Sequence, residues 1–507
     1  MKADYDIAVI GSGFAGSLMA MIARRLGRSV VLIERGRHPR FAIGESSTPL
    51  ANLLLEELAR AYDLPMLLPL CKWGSWQRTY PQIACGMKRG FTFLHHAMDR
   101  PFAGNGNELL VAASPHDGIA DTHWYRADFD AFLVAQAQAL GVEFVDEAEA
   151  TLVSLDDGVR LVVLRNGERR ELRAHFLIDA SGPRGFMQRA LGLADRRFAN
   201  MPTTQSLFAH FEKVARWDTL RAPRVAPPFP PDDAALHHVF DGGWIWVLRF
   251  NNGVTSAGVV ATDALAADLR LDEGAPAWER LLSRLPSVRE QFTNAIETTQ
   301  FIHLPRVAAC SSELAGENWA MLPSAAGFIN PLLSTGFPLT LLGIRRLGEA
   351  VGGTHLSAQS ESYCTQTFRE LDATAHLVAA LYANLRNFEV FSALTLLYFA
   401  AASYAESAHR LGRPHLARGF LLCDEPRFGA AFHSICKSAL DVAPNERTAL
   451  VERIHALIEP FDVIGLSHRE RHPYFPCLAS DFLETAHKLH ATRTEAEVAL
   501  ARAGFTS

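Results

Sequence analysis

The sequence predicts an α/β protein, and three observations carry that prediction. The chain opens on strand, glycine-rich turn, helix and strand; strand-like and helical patterns then alternate to about residue 350; beyond Gly348 the pattern is almost wholly helical. At 507 residues the chain exceeds one small core and suits two interwoven domains, or one large domain with an appendage.

Ile7-Ala8-Val9-Ile10 is a short unbroken apolar run, as a parallel strand covered on both faces requires. Gly11-Ser12-Gly13-Phe14-Ala15-Gly16 follows, after which Leu18, Ile22 and Leu26 recur at helical spacing. Val30-Val31-Leu32-Ile33 is the second strand and ends in Glu34, 18 positions past the third glycine. A GxGxxG turn between strand and helix, with an acid at that distance, is a Rossmann-like dinucleotide fingerprint. The glycines permit a tight turn and close approach of the backbone to a pyrophosphate, the helix N-terminus faces the phosphates, and Glu34 can accept hydrogen bonds from a ribose.

Tyr125-Arg126-Ala127-Asp128-Phe129-Asp130 leads into a helical pattern that runs to Leu140. Residues 151–163 and 168–178 read as strands, the first turning at Asp156-Asp157-Gly158 and the second ending in Asp179-Ala180-Ser181-Gly182. A helix is expected over residues 186–191, and the proline-rich residues 223–231 as a loop beside a second domain.

Composition excludes several classes. Lys plus Arg number 49 against 55 Asp plus Glu, so the net charge of −6 gives no footprint for nucleic acid. With 49% hydrophobic and 21% charged residues the chain reads as a soluble globular protein. The seven cysteines lack CxxC spacing and are expected as reduced thiols in the cytoplasm, without a metal site or disulfide framework. The N-terminus shows no signal-peptide pattern. The longest uncharged run, residues 390–405, falls short of the roughly 20 residues a membrane helix needs and is expected to be a buried helix. Only six of the 49 basic residues are lysine, so each is a place where an amine was kept.

Five stretches, taken together, resemble the flavin-dependent halogenases, a branch of the FAD monooxygenase superfamily. They are Gly11-x-Gly13-x-x-Gly16; His38-Pro39-Arg40-Phe41 with Gly44-Glu45-Ser46-Ser47-Thr48-Pro49; Cys85-Gly86-Met87-Lys88-Arg89-Gly90-Phe91; Gly243-Trp244-Ile245-Trp246-Val247; and Gly327-Phe328-Ile329-Asn330-Pro331-Leu332-Leu333-Ser334-Thr335-Gly336. Their wording is closest to the phenolic, phloroglucinol-type members.

The resemblance implies a Rossmann-like FAD domain of the flavoprotein monooxygenase type, from residues 1–75, 120–195 and 305–350. It implies a mixed-sheet substrate domain from 76–119 and 196–304, and a helical region over 351–507 that closes the pocket. The implied reaction runs from reduced FAD and O2 through a C4a-hydroperoxide, which chloride or bromide attacks to give enzyme-bound hypohalous acid. A buried lysine then captures or orients it beside an electron-rich, phenolic aromatic substrate. Carried over residue by residue, Lys88 is the catalytic amine. Gly11, Gly13, Phe14, Ala15, Gly16, Glu34, Arg35, Ser46, Ser47, Arg126, Asp179, Gly327 and Pro331 hold FAD, and Thr335 and Gly336 hold the halide through backbone N–H groups. Apolar neighbours of Lys88 favour the neutral amine, a state arginine cannot reach.

Phe91, Phe93, Trp244, Trp246 and Phe337 are candidates to wall the substrate, and equally candidates for core. Lys72, beside Trp73 and Trp76, is a rival amine, and the neighbouring histidines 95 and 96 are expected to be structural. Two departures matter. The family's WxWxIP ends here in Leu248-Arg249, which keeps an aromatic hydroxylase or a reductase-type flavoprotein in view, and Leu333 stands where tryptophan halogenases carry a glutamate. A separate NAD(P)H flavin reductase and a small aromatic are the expected partners, with no nucleic acid and no membrane.

Overall fold

A computed structural model describes residues 3–104, 106–222, 225–353 and 360–505; residues 223 and 224 of the proline-rich segment lie outside the described residues. Two large sheets organise it. The strand Tyr5–Ile10 lies parallel between Val30–Ile33 and Glu168–Asp179. Glu143–Val145 extends one edge, while Val159–Arg165 and Ala148–Ser154 extend the other as an antiparallel meander. Trp319–Met321, from far along the chain, joins Glu168–Asp179 in parallel. Residues in the first, middle and late parts of the chain therefore build one sheet, and the alternation of apolar runs with helices accounts for its parallel centre.

The second sheet has nine strands and is mixed. Ala235–Phe240 runs parallel to Gly90–His96 and antiparallel to Gly243–Arg249. Tyr474–Phe475 adds a parallel edge strand beside Glu108–Ala112. That last pairing corrects the sequence expectation: the C-terminal region is mostly helical but also closes an edge of this sheet. The pattern missed it because two residues are too few for a period-2 signal.

A separate short antiparallel ribbon, Cys85–Lys88 paired with Asp121–Trp124, puts Lys88 opposite Asp121. Gly86 makes the ribbon's placement possible: a Cβ there would lie 2.0 Å from the carbonyl oxygen of Arg249. Arg249 donates to Asp232, at 2.9 Å, and to the carbonyls of Val214 and Ala215. The residue that departs from WxWxIP is thus a loop clamp against which the lysine strand packs. Gly86→Ala is expected to lower stability by about 1–3 kcal/mol through overpacking; a thermal melt beside the parent protein checks it.

The 23-residue helix Phe388–Arg410 is 89% buried over its apolar window and lies in the core. Its apolarity comes from burial against the Arg447–Ile458 helix and its neighbours, as expected for an all-round apolar core helix.

Candidate active site

The glycine turn closes the end of Tyr5–Ile10. Gly11 has φ +96°, and a Cβ there would lie 2.7 Å from the carbonyl oxygen of Ala180, so only glycine fits. The helix Phe14–Arg25 starts just beyond, with Phe14, Ala15 and Gly16 buried in its first turn. Glu34 accepts from the Ser12 N–H and hydroxyl at 3.0 Å, from the Gly36 N–H at 2.9 Å and from Arg40 at 3.2 Å. Burial pushes this carboxyl up, but the Ser12 N–H, the Arg40 charge and the Gly36 N–H together outweigh it and hold it below its usual range. Arg35 is exposed, so Arg40 rather than Arg35 partners the acid. Arg40 stood in the quoted motif, but its reach back to Glu34 depends on the turn between them.

Arg126 opens the helix Arg126–Ala139 and forms a two-pronged ion pair with Asp130, one turn on, at 2.8 and 2.7 Å. Its remaining nitrogen donates to the carbonyls of Ile43 and Gly44, so one guanidinium ties the helix to the strap around residues 43–48. A Cβ on Gly13 would lie 3.4 Å from the same guanidinium, which puts Arg126 beside the glycine turn. Asp179 is turned elsewhere. Its oxygens accept from Ser181 N–H and hydroxyl and from Met187 N–H, so its carboxylate caps the helix Phe186–Ala190 and shapes the loop.

Asn330 caps the short turn Pro331–Leu333 and donates to the Tyr382 hydroxyl at 2.9 Å, which also accepts from Trp244. Thr335, its side chain making no capping bond, then stands at the N-terminal boundary of the 17-residue helix Gly336–Gly352. Its first N–H groups have no intrahelical partner, and open space flanks Gly336 where a Cβ would be. Gly327 packs against Leu371. The left-handed glycine turn, the arginine beside it, the acid after the second strand and the open helix start fit a dinucleotide cofactor. Glu34, Arg126 and the glycine turn are the residues that would hold it.

Lys88 is fully buried. Its Nζ donates to the Ser46 hydroxyl at 2.9 Å and to the Ser47 carbonyl, and lies 3.8 Å from the centre of the Phe91 ring. Ser47 is itself anchored, its hydroxyl donating to the Thr122 carbonyl at 2.8 Å. Two oxygens satisfy the two N–H bonds of a neutral amine; an ammonium carries three. Burial is the largest influence and lowers the lysine pKa, while the Asp121 carboxylate opposite raises it in part. The net shift is downward, so the neutral amine is reached at a much lower pH than for an exposed lysine.

Thr48, Asn52, Phe91 and Asp121 border a cavity of about 130 Å3, which Tyr398, Phe399, Glu406 and Arg410 of the long core helix also line. Of the five aromatic residues considered for a pocket, Phe91 borders this cavity. Phe93 stacks instead on His237 at 4.7 Å, and Phe337 on Trp124 at 4.2 Å. Trp244 and Trp246 are buried in the sheet, spending their N–H groups on Tyr382 and Ser256. Lys72 also borders the cavity, but its Nζ donates to the Ala503 carbonyl at 2.6 Å. His95 bonds Leu385 and Asn107, and His96 bonds His238. Sequence reading missed Asp121, Asn52 and the helix wall, none of which belongs to a local motif. Among the described residues no cluster suits a metal ion.

A family profile for FAD binding domains matches residues 6–213, and with the turn and strap it defines the class: a flavin-dependent oxidoreductase. The profile for tryptophan halogenases matches residues 120–391, more than half the chain, and the chain belongs to that family. It is a flavin-dependent halogenase, using FAD, halide and O2. Monodechloroaminopyrrolnitrin halogenase PrnC of Pseudomonas fluorescens is 28% identical over 489 residues, 90% of this chain and 85% of that protein. Tetracycline 7-halogenase of Kitasatospora aureofaciens is 28% identical over 348 residues, 66% and 61% of the two chains. The crystal structure of halogenase PltM in complex with phloroglucinol and FAD superposes with a TM-score of 0.83 at 24% identity, over 93% of this chain and 99% of that one.

Proposed function

We propose that this halogenase acts on a small, electron-rich, phenolic aromatic, with Lys88 as the group that receives the electrophilic halogen and presents it to the ring. The observation that carries the reading is the fully buried, two-bonded amine tied to the strap on one side and touching a cavity wall on the other. When bound, reduced FAD with O2 supplies the oxidising equivalents that convert halide to hypohalous acid. The chain's part is to hold and orient. The glycine turn, Glu34, Ser46, Ser47 and Arg126 would fix the cofactor, and the N–H groups of Thr335 and Gly336 would attract halide at the positive end of a helix. Lys88 keeps a lone pair free beside Phe91, and the sheet and core helix exclude water. A separate NAD(P)H flavin reductase would deliver the reduced cofactor, and a cytoplasmic location follows from the same reading.

The test is the purified protein with FAD, a flavin reductase, NADH, O2, bromide and a panel of simple phenols. Brominated phenol is the expected product by mass spectrometry, and hydroxylated product formed without halide would overturn the reading. Gly336→Val should fill the open space at the helix start and raise the apparent KM for bromide about tenfold while leaving that for the phenol unchanged.

A further inference from the structure

Three residues that border the cavity each carry a buried side-chain oxygen with no hydrogen-bond partner. Asp121 Oδ2, Asn52 Oδ1 and Ser114 Oγ are all buried and all without a partner, and all three residues border this cavity. Asn52 and Asp121 are already joined, Asn52 Nδ2 donating to Asp121 Oδ1 at 2.9 Å, so two orphan oxygens belong to one bonded pair. A buried polar atom with no partner is costly, and three of them on residues around one cavity favour a ligand that brings hydrogen-bond donors.

The cationic side chains on the same wall have other duties. Arg410 is ion-paired with Glu406 at 2.7 Å, and Lys72 donates to Ala503. Glu56 and Glu406 add to Asp121, so acids outnumber bases around the cavity.

We propose that Asp121, with Asn52 and Ser114, recognises the substrate through its O–H or N–H groups, so that the cavity selects an uncharged hydroxy- or amino-arene and rejects one bearing a carboxylate. The inference rests on the proposed halogenation of an aromatic and deepens it by naming the substrate class and the residues that choose it. Asp121 is directly opposite Lys88 in the ribbon, on the same face, with Cβ atoms about 5 Å apart as in any cross-strand pair. A ring held by its donor at Asp121 therefore lies next to the ribbon that carries the amine, with Phe91, whose ring the amine touches, on the same cavity wall. Burial pushes the Asp121 carboxyl up, and a substrate donor delivered to it stabilises the ionised form, so ligand binding and ionisation favour each other.

The experiment uses the FAD-loaded protein with resorcinol, 1,3-dimethoxybenzene and 3,5-dihydroxybenzoate. Bromination rates are each divided by the rate with free hypobromite, and binding is measured separately by titration calorimetry. The parent protein is expected to prefer resorcinol to its dimethyl ether by about 100-fold after that correction, because the ether leaves buried acceptors unpaired. The dihydroxybenzoate should bind at least about tenfold more weakly than resorcinol. Asp121→Asn should shrink the resorcinol-to-ether ratio about tenfold or more, and Ser114→Ala should shift it the same way. A change acting only through Lys88 would alter both rates by the same factor and leave the ratio alone. Equal normalised rates for resorcinol and its ether in the parent, tight binding of the dihydroxybenzoate, or an unchanged ratio in both variants overturns the inference while bromination itself still stands. Calorimetric binding without any bromination overturns the lysine reading and leaves the recognition.

Discussion

Lys88→Ala is expected to bind FAD as tightly as the parent protein and to halogenate about 1,000-fold more slowly or worse. Lys88→Arg is expected to fail as fully, because a guanidinium stays protonated and cannot offer a lone pair. The two variants differ in stability: Arg would force a larger cation into a space fitted to Ser46, Ser47 and Phe91, whereas Ala leaves a cavity. The pH profile separates a chemical from a packing role. Burial lowers the lysine pKa and the Asp121 carboxylate partly restores it. Activity that needs the free amine rises as pH climbs through that lowered value and is lost below it. Asp121→Asn removes the opposing charge, lowers the lysine pKa further, and should move the acid limb of kcat to lower pH. Stopped turnover with bound flavin is the expected result for Lys88→Ala. Turnover within a factor of about ten of the parent would remove Lys88 from the chemistry.

The parts of this site that could be read in the sequence are local. The glycine turn, the acid ending the second strand, the strap and the lysine strand each lie within a few residues of their own signals, and the fold places them where those signals point. What could not be read was set by tertiary partners. Asp121 lies 33 positions beyond Lys88 and meets it through strand pairing. The wall formed by Tyr398, Phe399, Glu406 and Arg410 belongs to a helix whose apolar run told of burial but not of which face meets the cavity. The aromatic residues illustrate the same limit. Phe91 and Phe93 share one face of a strand and both stack on His237, yet a step of about 7 Å along it leaves Phe91 at the cavity and Phe93 away from it. Resemblance alone points to Asp179 as a cofactor residue, and in the structure its carboxylate accepts from the Ser181 and Met187 N–H groups.

The second large effect is expected at Arg126. Removing it strands Asp130, which is fully buried, without its counter-ion, and also frees the carbonyls of Ile43 and Gly44. Arg126→Ala should therefore cost about 3–5 kcal/mol of stability, far more than an exposed pair would. Denaturant titration of the flavin-free protein measures that cost. If the loss came only from the uncompensated charge, replacing both partners with leucine would restore most of it, because an apolar pair of similar volume replaces a buried ion pair at little penalty. Flavin affinity should behave differently. The strap loses its anchor in both variants, so Arg126→Leu with Asp130→Leu should recover stability and still bind FAD about tenfold more weakly, about 1.4 kcal/mol. Full recovery of both properties would mean that Arg126 serves only its helix. Recovery of stability alone would assign it to the junction between the glycine turn and the strap that carries Ser46 and Ser47 to the lysine.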